Sequence, residues 1–115
     1  MGKIFEETDL YEDIKGACIN TLMGSIKIGL TYHQSILRFQ EDMEGIFEEN
    51  ELERVLTLIS IGEFAIKNNC FDSKIAKEVK YAINEIENNS YNNLLHNDDM
   101  DQIQKDMITI KQYLK

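Results

Sequence analysis

The stretch 52-LERVLTLISIGEFAI-66 decides the fold. It is apolar on nearly every side, and a helix without a wet face has to be surrounded by other elements. Helix signals bracket it. Asn50 stands three residues before Glu53 at the start, and Asn68 and Asn69, which tolerate the left-handed cap conformation, stand at the end.

Working towards the N-terminus, Thr31 and Gln34 form the T-x-x-Q pattern of a capping box. Behind it Tyr32, Ile36, Phe39, Met43 and Ile46 or Phe47 keep to one helical face as far as about Glu49. An earlier helix is predicted from about Thr8 to Ile28, on Leu10, Ile14, Ala17 or Cys18, Leu22 and Ile26. Thr8 serves as its cap, Asp9, Glu12 and Asp13 lie near its positive end, and Gly29 is its stop.

Working towards the C-terminus, Asp72 or Ser73 opens a fourth helix with Ile75, Val79, Ala82 or Ile83, and Ile86 facing inward. The segment 88-NNSYNNLLHNDD-99, with five Asn in twelve residues, reads as a long connection around a short turn holding Leu94 and Leu95. Asp98 or Asp99 then starts a fifth helix, on Met100, Ile103, Met107, Ile110 and Leu114 at spacings of 3, 4, 3 and 4. No internal repeat or linker divides the chain. The expectation is an all-α fold, one domain over residues 1–115, in which about five helices surround a central apolar one.

Composition agrees. The 115 residues include no proline, the main helix breaker, where average usage of about 5% would place roughly six. A hydrophobic fraction of 43% is enough to build a core without disulfides or metal. Cys18 and Cys70 lie within apolar segments and read as reduced thiols. The N-terminal MGKIFEETD lacks the apolar run of a signal peptide, and no run approaches the roughly 18 apolar residues of a membrane span, so a cytoplasmic location is expected.

The usual chemistries find no frame here. The residues three before His33 and His96 are Leu30 and Asn93, not the Glu of a di-iron bundle, and neither cysteine has a partner at zinc-ligand spacing. The acidic 98-DDMD-101 lacks the glycine and terminal Glu of a calcium loop. There is no G-x-S-x-G and no Gly-rich phosphate loop. No catalytic residue, metal or cofactor is assigned, and the chain reads as a non-enzyme. Gly16, Gly24, Gly45 and Gly62 fall inside predicted helices, where glycine costs about 1 kcal/mol relative to Ala. Close helix packing is the expected reason; room for a partner's side chain is the alternative.

Charge distribution carries more information. The net charge is −9, from 21 acids and 12 bases, which repels nucleic acid and anionic membranes and complements a basic protein partner. Residues 5–13 hold five acids, 41–53 hold seven and 81–104 hold five, each block without a Lys or Arg. In the middle block Glu51 and Glu53 suit the start of the third helix, but Glu48 and Glu49 fall in the last turn of the second, where acid is unfavourable. A locally costly placement points to function. The candidate partner-binding residues are therefore Glu41, Asp42, Glu44, Glu48, Glu49, Glu51 and Glu53, with Tyr32 as an aromatic anchor.

The pairing of 29-GLTYHQSILRFQEDMEGIFEE-49 with 53-ERVLTLISIGEFAIKNNCFDSKIAKEVKYAINEI-86 resembles the small, acidic, all-helical immunity proteins of bacterial contact-dependent inhibition and polymorphic-toxin systems. An aromatic-bearing amphipathic helix is followed by an apolar helix, a turn after an Asn pair, and an Ala- and Ile-bearing helix. The pattern covers about half the chain and transfers no individual site residue. The Tyr-Tyr-Pro recognition motif of the nuclease-colicin immunity proteins has no counterpart, since the chain has neither proline nor adjacent tyrosines. The resemblance implies a protein that neutralises a cognate toxin domain without a cofactor and leaves the toxin open; the acidic charge adds the expectation of a nuclease, whose substrate surface is basic. The alternative is a helical adaptor or regulatory interaction module; nothing in the residues indicates a homo-oligomer.

Overall fold

The structure, a computed structural model, describes residues 10–46, 51–88 and 97–114. They form five helices: α1 (Leu10–Lys27), α2 (Tyr32–Ile46), α3 (Glu51–Lys67), α4 (Ser73–Asn88) and α5 (Asn97–Lys111). The expected caps at Thr8 and Asn50 and the turn at Leu94 and Leu95 lie outside the described residues. No strand occurs among those described.

α3 is the centre of the bundle. Eleven consecutive residues, from Val55 to Ala65, are buried, so all sides of its three middle turns are covered. It touches each of the other four helices, most extensively α4, while α1 also packs on α2 and α5. The inward residues expected of α4, Ile75, Val79, Ala82, Ile83 and Ile86, are all buried, as are Ile103, Met107 and Ile110 of α5.

Local signals set the helix ends. α1 stops at Gly29, whose φ of 113° is left-handed and comfortable only for glycine. There the Gly29 N–H donates to the Ile26 carbonyl at 3.0 Å and the Leu30 N–H to that of Ser25 at 3.1 Å. The capping box at α2 is reciprocal: the Gln34 N–H donates to Thr31 Oγ1 at 3.1 Å, and the Thr31 N–H to Gln34 Oε1 at 3.0 Å. α3 ends on Asn69 at φ 55°, with the Cys70 N–H donating to the Ala65 carbonyl at 2.9 Å. Asp72 caps α4 by accepting the Ile75 N–H at 2.9 Å, and His33 of α2 pairs with the same carboxylate.

The helical glycines divide. A Cβ at Gly62 would lie 3.0 Å from Val79 Cγ2 and 3.2 Å from Ile110 Cδ1, so this glycine lets α3, α4 and α5 approach closely. Close packing does not explain Gly16 and Gly24, whose Cβ positions open into empty space. For these two the expectation is corrected: no neighbour demands glycine.

Candidate functional site

Burial on all sides of α3 leaves its polar residues to be satisfied locally or by other helices. The hydroxyls of Thr57 and Ser60 donate to the carbonyls of Glu53 and Leu56 on their own helix, at 2.7 and 3.1 Å. Glu63 is 9% exposed, and a carboxylate there requires a cation closer than Lys67 of its own helix, whose Nζ stands 3.7 Å from Oε1. Lys15 of α1 supplies it, with Nζ 2.6 Å from Glu63 Oε1 and 2.9 Å from Asp106 Oδ2 of α5.

The same Asp106 oxygen accepts the Tyr11 hydroxyl at 2.6 Å, and the other accepts from Gln102 Nε2 at 3.2 Å. Burial opposes charge on both Lys15 and Asp106, but their partners outweigh it. Glu63 and Asp106 raise the Lys15 ammonium above its ordinary range. The Tyr11 hydroxyl and the Lys15 ammonium hold Asp106 below the usual carboxylate range. Burial, then the bond to Asp106, pushes the Tyr11 hydroxyl up, so it stays a neutral donor. This network pins α1 against α3 and α5.

With α1 so fixed, a groove of about 330 Å³ opens between α1, α2 and α3. Ile14, Ala17, Cys18 and Thr21 line it from α1, Phe39 from α2 and Thr57 from α3, while Asp13 and Glu53 stand as its acids. The polar atoms of its floor are already committed. Thr21 donates to the Ala17 carbonyl at 2.9 Å, and Thr57 is bound as described. Burial pushes the Cys18 thiol up to about 12, so it is a neutral, apolar surface and not a nucleophile. Among the described residues, no Lys, Arg or His lines the groove. One turn further along α1, exposed Gly24 continues the small residues Ala17 and Thr21 at helical spacing.

The acids of 41–53 do not share one face. Glu41 and Asp42 are exposed on α2, just past Phe39, and Glu53 belongs to the groove. Glu51, two residues from Glu53 and therefore on another side of α3, instead accepts the Tyr81 hydroxyl of α4. Glu44 lies within α2, but its side chain, like Glu48 and Glu49 altogether, is outside the described residues. Tyr32 is 38% exposed, its ring tilted against Phe64 at a centroid distance of 5.8 Å. Phe64 is eleven residues from Glu53, or about 16 Å along α3, so Tyr32 and the groove are separate places.

The contributions of Asp13, Ala17, Thr21 and Phe39, and the tie through Lys15, were not singled out from the sequence. Glu63, an acid inside an otherwise apolar helix, was the one available signal of a buried ion pair. Among the described residues no group of three or more His, Cys, Asp or Glu side chains is arranged to hold a metal ion. No helix in them is long and apolar enough to cross a membrane. No family model, curated protein or solved structure matches the chain.

Proposed function

We propose that this chain is a non-enzymatic binding protein of the immunity type, which captures a cognate toxin domain, a nuclease, through the groove between α1, α2 and α3. The observation that carries the reading is an apolar floor flanked by two carboxylates, with no cation among its described lining residues, on a chain of net charge −9. Such a surface fits an apolar side chain bracketed by Lys or Arg, as found on a protein that binds nucleic acid through its phosphates.

The two parts of the surface divide the work. Exposed Glu41 and Asp42, with the overall negative charge, attract the basic partner at long range and accelerate encounter. The floor at Ala17, Thr21 and Phe39 then holds the complex by excluding water from an apolar anchor, which governs dissociation. Small side chains on α1 let the partner's backbone come close. The resemblance of residues 29–86 to immunity proteins supplies the toxin as the partner's class.

The test is co-expression of the chain with the product of the adjacent coding sequence. A stable complex and suppressed toxicity are expected, and Thr21→Arg, which places bulk and positive charge in the groove from an exposed position, abolishes both without unfolding the bundle. If the neighbouring product forms no complex and its toxicity is unaltered, the immunity reading fails. A complex indifferent to Thr21→Arg would move the docking surface elsewhere.

A further inference from the structure

On the opposite flank of the α3 start, the electrostatics reverse. Arg54 of α3 and Lys74, Lys77, Glu78 and Tyr81 of α4 line a second concavity of about 380 Å³. The α4 members recur at spacings of three, one and three, so they form one stripe beside the buried stripe of Ile75 and Val79. Among the described residues, Lys15, Lys67 and Lys111 are held in ion pairs by Glu63, Asp106 and Glu87. Among the described residues, Arg54, Lys74 and Lys77 form no such ion pair, and all three converge on this pocket.

The pocket is also partly pre-ordered. Tyr81 is held across the helix pair by donating its hydroxyl to Glu51, and the Arg54 guanidinium sits 6.0 Å from the centre of the Tyr81 ring. The bond to Glu51, together with burial, pushes the Tyr81 hydroxyl up to about 12, so the ring stays neutral and brings no repelling charge. A fork-shaped guanidinium beside two flexible ammonium groups matches the tetrahedral oxygens of a phosphoryl group. Three cations exceed the one lining carboxylate, Glu78, and the volume is at the small end of ligand sites, where a diphosphate or mononucleotide fits.

We propose that this pocket binds a phosphoryl anion, free or carried on a small molecule, with Arg54, Lys74 and Lys77 as its ligands. The site is independent of the groove and of the immunity reading.

The experiment is an amide NMR titration of the full ¹⁵N-labelled chain at constant ionic strength, with inorganic phosphate, pyrophosphate and AMP in separate arms. The expected result is saturable shifts confined to residues around Arg54, Lys74, Lys77 and Tyr81. Tighter binding of pyrophosphate assigns the site to a diphosphate, tighter binding of AMP to a nucleotide, and equal binding to the phosphoryl group alone. The variant Lys74→Gln/Lys77→Gln, both exposed positions, weakens saturation by about tenfold or more while the remaining spectrum keeps its dispersion. Arg54→Gln gives an independent second reading. Shifts that grow linearly without saturating, that spread equally to Lys27, Lys80 and Lys105, or that persist in both variants would overturn the proposal.

Discussion

Tyr11 and Asp106, separated by 95 positions in the chain, are joined by a hydrogen bond of 2.6 Å that closes the first helix onto the last. Tyr11 is 0% exposed and Asp106 3%, so neither group can turn to water if the other is removed. Removing the hydroxyl with Tyr11→Phe leaves Asp106 one donor short and is expected to cost about 1–3 kcal/mol. Asp106→Ala also deprives Lys15 of one of its two carboxylates and is expected to cost more, about 3–5 kcal/mol. Urea midpoints of the two variants check the order; equal and small losses would show that the network contributes little.

The same network predicts a pH window. Asp106 is depressed below its ordinary 3.8, so its contribution is present above that value and is lost as pH falls through its lower folded pKa. Lys15 is raised above its ordinary 10.5, so its contribution is full below that value and is lost as pH rises through the higher folded one. With 21 acids titrating together, the informative quantity is the stability difference between the wild type and Asp106→Asn. It should be flat near neutrality and shrink only below about pH 4. A difference independent of pH down to acid unfolding would contradict the assignment.

The glycines give unequal expectations for the same substitution. Gly16→Ala and Gly24→Ala place a methyl in open space on a helix and should each stabilise by about 0.5–1 kcal/mol. Gly62→Ala gains the same propensity but presses on Val79 and Ile110, so it falls short of them, and Gly62→Leu should destabilise by several kcal/mol. Thermal melts of the four variants decide the matter.

Reversing Glu41 and Asp42 to Lys tests steering apart from contact. Both are exposed, and such changes usually alter stability by less than about 0.5 kcal/mol. Association with the basic partner should slow several-fold and lose much of its salt dependence, while dissociation stays nearly unchanged. Stopped-flow association across a salt series measures this. Unchanged rates and salt slope would mean that these two acids form only a solvated surface.

How much of this was legible in advance follows from the range of each interaction. Gly29, the Thr31 and Gln34 box, Asn69 and Asp72 all act within about four residues of themselves, so the sequence alone located the helix ends around them. The apolar run 52–66 likewise required a surrounded helix, whatever surrounds it. The pairing of Lys15 with Glu63 and Asp106, the crowding at Gly62 and the opening at Gly24, and the divergence of Glu51 from Glu53 were decided only by tertiary structure. Each depends on how far one helix is rotated and slid against another. Periodicity tells which face is apolar and leaves that rotation free. Packing of whole side-chain surfaces settles it, and with it whether neighbouring acids end in one site or two.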